Sequence, residues 1–142
     1  MNYAYREAEI AYEEQEIPVG CVIVFQNTII AKAHNQIETL KDPTAHAEII
    51  AITAAAEYLQ SKQLVGCSMY VTLEPCSMCA GAIVLSKIEN LFFGAFDNKS
   101  GACGSVLNIT NNSSLNHKCS VTGGLLDNKC REILRSFFEE KR

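Results

Sequence analysis

Apolar and polar positions alternate with a helical period over residues 3–16, where Ala4, Ala8 and Ala11 stand among Tyr and Glu; Pro18 and Gly20 then break the pattern. Val19–Phe25 is a nearly unbroken apolar run rich in β-branched residues, which predicts a strand buried on both faces. Asn27 marks a turn into a second strand, Ile29–Ala33, so the pair reads as a hairpin. Residues 34–42 are mostly polar and read as a loop leading to a helix over 43–60, with Ala47, Ile50, Ala51, Ala54 and Ala55 as its small and apolar positions. A third strand, Ser68–Leu73, feeds a helix over 76–87, and a fourth strand follows at Asn90–Phe96. Residues 97–124 are rich in Asn, Ser and Gly and read as loop with a short strand near 118–122. The segment 127–141 places Cys130, Ile133, Leu134, Phe137 and Phe138 among charges, as an amphipathic helix does. Strands alternating with helices through short connections predict an α/β fold, a three-layer α/β/α sandwich with a mixed central sheet.

Composition narrows the class. A chain of 142 residues with 48% hydrophobic and 20% charged residues is expected to form one globular domain, spanning 1–142. No apolar run reaches the roughly 18 residues of a membrane span, and Glu7, Glu9, Glu13 and Glu14 do not read as a signal peptide, so a cytoplasmic protein is expected. Seven cysteines at irregular spacing then favour thiols and metal ligands over a disulfide framework. The net charge of −4 argues against a broad basic nucleic-acid footprint, although Lys129, Arg131, Arg135, Lys141 and Arg142 gather near the C-terminus, where a solvated helix face is the simpler reading.

Two stretches carry chemistry. In Thr72-Leu-Glu-Pro-Cys-Ser-Met-Cys79, the two cysteines lie three apart and project from one helix face toward a single ion. Pro75 at the first helical position would put Cys76 in the first turn, where the helix dipole favours a thiolate. In Asp42-Pro-Thr-Ala-His-Ala-Glu48, Asp42 reads as a cap and Pro43 as the first helical residue, which places His46 within the first turn of a second helix. His46 and Glu48 sit roughly 200° apart on an ideal helix, so both serve one site only if the helix points its N-terminal end there. His46, Cys76 and Cys79 make three ligands to a zinc ion and leave the fourth tetrahedral position for water, the pattern of catalytic zinc. Glu48 is then the general base and acid.

Several residues have simpler readings. Cys21 and Cys67 read as small apolar fillers, Cys130 as part of a helix face and Cys119 as near a strand. Cys103 lies in a Gly101-Ala-Cys-Gly104 turn. His34 reads as a strand-end residue, and His117, in a polar loop, as a surface or RNA-contacting histidine.

Pro18-Val-Gly20, Asp42-Pro-Thr-Ala-His-Ala-Glu48, Leu73-Glu-Pro-Cys-Ser-Met-Cys-Ala-Gly-Ala82, Phe93-Gly-Ala95 and Lys99-Ser-Gly-Ala102 closely resemble the bacterial tRNA-specific adenosine deaminases over almost the whole chain. The resemblance implies a cytidine deaminase-like fold, a homodimer with one zinc per subunit, and hydrolysis of the wobble adenosine in a tRNA anticodon stem-loop to inosine with release of ammonia. It implies that His46, Cys76 and Cys79 hold zinc, that Glu48 shuttles the proton, that Asn35 meets the nucleoside, and that Asp97 and Lys99 belong to a segment along the RNA backbone. Two alternatives stand beside it: deamination of guanine or another free base or nucleoside, and a catalytically idle, zinc-stabilised RNA-binding subunit. Glu48 argues against the idle form, because metal binding alone does not require it.

Overall fold

The computed structural model describes all 142 residues. Helix α1, Asn2–Glu13, is followed by the hairpin of β1, Gly20–Phe25, and β2, Thr28–His34. Gln26 and Asn27 both adopt positive φ, as a two-residue type I′ turn requires. A short helix α2, Ile37–Leu40, precedes α3, Ala47–Leu59. Then come β3, Cys67–Leu73, α4, Ser77–Leu85, β4, Asn90–Ala95, β5, Ser120–Thr122, and α5, Asp127–Glu140.

The five strands form one sheet in the order β2-β1-β3-β4-β5. β1 runs antiparallel to β2 and β3, whereas β3, β4 and β5 are mutually parallel, so the sheet is mixed as the sequence predicts. Helices α1 and α5 pack on one face. On the other, α3 sets Ala47, Ala51 and Ala55 against Cys21, Ile23 and Met69 of the central strands. α1 approaches β1 so closely that a Cβ on Gly20 would fall 2.0 Å from the Ala4 carbonyl oxygen, which is why glycine stands there. Cys21 and Cys67 are buried fillers, and Cys130 is buried on α5, as expected.

Helix boundaries depart from the sequence reading in ways that matter for the site. α1 ends at Glu13, not near residue 16, because Gln15 turns left-handed and Glu16 N–H donates back to the Ala11 carbonyl. The predicted loop 34–42 contains α2, which no local pattern announced. The predicted helix 43–60 begins only at Ala47. Asp42 does not cap it; its carboxylate accepts from Thr44 N–H at 2.8 Å and Thr44 hydroxyl at 2.7 Å, closing a separate turn around Pro43. Pro75 likewise lies outside α4, and Cys76 takes the N-cap position with extended ψ.

Candidate metal centre and active site

α3 and α4 both begin at the C-terminal edge of the central sheet, and their N-cap residues meet there. His46 caps α3 and Cys76 caps α4 in extended conformation, each outside its first turn, while Cys79 sits three residues into α4. The helix starts therefore converge as the sequence predicts, with His46 and Cys76 at the N-caps instead of inside the first turns. His46 Nδ1 stands 3.7 Å from Cys76 Sγ and 3.6 Å from Cys79 Sγ, and the three donor atoms lie within 4.8 Å of one another. Zinc bonds of about 2.3 Å to sulfur and about 2.0 Å to nitrogen, set at a tetrahedral angle, imply a sulfur-to-nitrogen edge of about 3.5 Å. The donor set fits zinc in chemistry and in spacing.

Electrostatics prepare the thiols. The Cys76 thiol is pulled down to about 3, first by its hydrogen bond with Cys79 and then by that with His46, while Cys79 is pushed up by the same bond with Cys76. One of the two sulfurs is thus a thiolate at neutral pH. The contact with Cys76 also holds His46 above its ordinary value.

Glu48 follows in the first turn of α3, 3% exposed, and burial raises its carboxyl above the ordinary range. Its Oε1 has no hydrogen-bond partner in the protein, so a buried acceptor points where a proton-bearing ligand is needed. Asn35 lies just past β2, 4% exposed. Its N–H is spent on the Val19 carbonyl at 3.1 Å, but its side-chain oxygen is equally without a partner. Two orphaned buried oxygens thus line one cavity, of about 550 Å³, together with His46 and Cys76. Ile17, Val19, Ile37, Leu134 and Phe138 supply apolar wall, and residues 96–100 close the remaining side.

The loop residues separate. Lys99 lines the cavity and is exposed. Asp97 also lines it, but its carboxylate accepts from the Lys99 and Ser100 amides and the Ser100 hydroxyl, so it shapes its own turn. The C-terminal cations are mostly engaged: Arg131 pairs with Asp127, Arg135 with Glu132, Lys129 lies over the Tyr5 ring and Lys141 over the Phe137 ring. Phe137 is buried, whereas Phe138 is 47% exposed at the cavity mouth. His117 is half-buried, its Nε2 2.7 Å from the Ile88 carbonyl. His34 does end β2, held between Glu7 and Glu14 of the α1 region.

Sequence reasoning missed Glu74. Its buried carboxylate accepts from the amides of Asp97 at 3.0 Å, Cys103 at 3.1 Å and Ser105 at 3.0 Å, and from the Ser105 hydroxyl. It ties the 97–105 loop to the strand end that delivers Cys76. The one sequence signal was an acid immediately before Pro75 at the end of an apolar strand.

Residues 1–95 match the family described as the cytidine and deoxycytidylate deaminase zinc-binding region. Among curated proteins, the tRNA-specific adenosine deaminase of Aquifex aeolicus is 49% identical over 142 residues, covering 100% of this chain and 93% of the relative. A solved structure from studies of A-to-I editing by tRNA:A34 deaminases at the wobble position of transfer RNA superposes with a TM-score of 0.90 at 41% identity, covering 94% of this chain and 96% of that one. The guanine deaminase of Nitrosomonas europaea, at 23% identity and a TM-score of 0.81 over 96% of this chain and 81% of that one, shares the fold.

Proposed function

This chain belongs to the tRNA-specific adenosine deaminases of the zinc-binding deaminase family, and on that premise we propose that it hydrolyses the wobble adenosine of a tRNA anticodon stem-loop to inosine and ammonia. The observation that carries the proposal is the pairing of a zinc-competent His46, Cys76 and Cys79 set with the buried, unpartnered Glu48 carboxylate in one cavity.

His46, Cys76 and Cys79 hold the ion. Zinc, when bound, supplies Lewis acidity that brings the pKa of a water toward neutrality. Glu48 accepts a proton from the water that adds to the amino-bearing carbon of adenine and returns it to the amino nitrogen, which leaves as ammonia. Burial keeps the Glu48 carboxyl proton-retentive, as a group that must both take and give a proton needs to be. Asn35 offers its side-chain amide to the base edge or ribose. Ile17, Val19 and Leu134 give the same cavity an apolar wall. Lys99 contributes charge to the RNA backbone, and Asp97 does so indirectly by holding the turn that presents Lys99. A single base in an anticodon loop is already free of a duplex, so its entry costs little unstacking.

The active unit is a homodimer of one catalytic domain per chain, residues 1–142, working in the cytoplasm. Support for the second copy comes from α4, which is apolar all round although it lies at the surface, with Leu85 80% exposed. No helix is long and apolar enough to cross a membrane. Sedimentation equilibrium reads the dimer, and a monomer at micromolar concentration contradicts it. Inosine at the wobble position of a stem-loop RNA tests the activity itself.

A further inference from the structure

Helix α2 buries none of its four residues, and its N-cap residue Gln36 makes no side-chain cap bond. No buried side chain and no local cap holds its start, although the left-handed Lys41 closes its end on the Ile37 carbonyl. What holds it comes from 22 residues upstream: the Glu16 carboxylate accepts from Glu38 N–H at 3.1 Å, Thr39 N–H at 2.7 Å and Thr39 hydroxyl at 2.7 Å. Glu16 is itself 1% exposed in the turn between α1 and β1. A carboxylate bonded to the free amides of a helix start satisfies both hydrogen bonding and dipole, so it acts as a cap supplied from another part of the chain.

The docked segment matters for the cavity. Asn35 and Ile37 flank the start of α2, and both line the cavity that holds Glu48. They also line a second cavity of about 620 Å³ beside it, which Glu16 and Phe138 share. The Gln36 amide bonds the Ala45 carbonyl at 3.0 Å, closing the segment from Asn35 to His46 at its neck. Its far side is fixed by Glu16 alone among side chains outside the segment.

We infer that Glu16 is a positioning residue for substrate binding: by capping α2 it fixes Ile37 as a wall of the nucleobase cavity and keeps the Asn35 amide facing that cavity. The inference deepens the proposed deaminase reading. His46 is held independently as the N-cap of α3, so loss of the anchor is expected to affect binding of the base and to leave zinc binding in place.

The test uses the full-length, zinc-loaded protein and a stem-loop RNA carrying a wobble adenosine, with Glu16→Ala, Glu16→Gln and Thr39→Val. Loss of a charge-assisted cap is expected to raise KM about tenfold in Glu16→Ala while kcat changes less than about threefold and zinc stays at about one per chain. Glu16→Gln, which keeps one acceptor oxygen, should recover part of the loss, and Thr39→Val should show a smaller KM increase. Amide exchange over residues 36–41 should accelerate in Glu16→Ala. Faster exchange with unchanged KM would make Glu16 a purely structural residue, and unchanged exchange would remove the anchor; either overturns the inference. So would loss of zinc or an equal fall in kcat. If the stem-loop is not deaminated by the wild type, the deaminase reading fails on that result, and amide exchange with the same KM split, read on whichever substrate is turned over, still decides the role of Glu16.

Discussion

The Nδ1 atom of His46 lies 3.6 Å from the Sγ atom of Cys79, although 33 residues separate them in the chain. Two helix starts make that contact, and a zinc ion held by it would supply the chemistry. Binding to the folded form alone adds stability, so stripping zinc with a chelator should lower Tm, and readdition should restore it. His46→Ala, Cys76→Ser or Cys79→Ser should each reduce zinc well below the about one per chain expected of the wild type, which elemental analysis checks. A fully zinc-loaded Cys79→Ser protein contradicts the ligand set.

Glu48 is separable from the metal because it offers no atom to the three-donor cluster. Glu48→Ala should retain zinc and lose at least about 10³-fold in kcat, the upper part of the range for a general acid–base group. Zinc content and single-turnover rate measured on one preparation distinguish this from a ligand defect.

Glu74 should be costly to remove. Glu74→Ala takes a buried acceptor from three amides and a hydroxyl, the buried Cys103 amide among them, and we expect a loss of about 3 kcal/mol in urea unfolding. Gly101→Ala attacks the same contact from the other side. Its Cβ would fall 2.4 Å from the Glu74 Cδ and 2.5 Å from the Asp97 carbonyl oxygen, so it should also destabilise the 97–105 loop.

Glu16 gives a pH dependence with a defined sign. Burial alone would push its carboxyl up, but the Thr39 hydroxyl, the Glu38 and Thr39 amides and the nearby His34 outweigh this and hold it below its usual 4.5. A carboxyl lowered in the folded state contributes stability fully above its unfolded value, and that contribution is lost as pH falls through the folded value. The stability advantage of the wild type over Glu16→Gln should therefore be fully present at about pH 5 and shrink below it. Urea midpoints for both proteins from about pH 5 downward check this, and an advantage that grows on acidification over that range contradicts it.

The sheet and its helices were legible because their periodicities are local: the hairpin at Asn27, the apolar run of β1 and the alternating face of α5 each announce themselves in a few residues. The donor set was legible from the Cys76 and Cys79 spacing and the two helix starts. The placement of His46 and Cys76 as N-caps was not, because Asp42 and Pro75 carry the usual signs of a helix start while Asp42 is occupied by Thr44 and Pro75 precedes the cap. α2 was illegible for a different reason. Four residues with no buried face owe their helix to Glu16, and Glu74 likewise organises a loop that lies 23 to 31 residues away in sequence. Buried carboxylates that cap distant amides leave no periodic trace.

The most direct measurement is a parallel deamination assay with the purified, zinc-loaded protein, offered an anticodon stem-loop with a wobble adenosine and, separately, free guanine, adenosine and cytidine. The cavity, lined by the unpartnered side-chain oxygens of Asn35 and Glu48 and with Lys99 exposed at its rim, leads us to expect inosine at the wobble position and no ammonia from the free compounds. Ammonia from guanine with an unmodified stem-loop would contradict the account and make this chain a free-base deaminase.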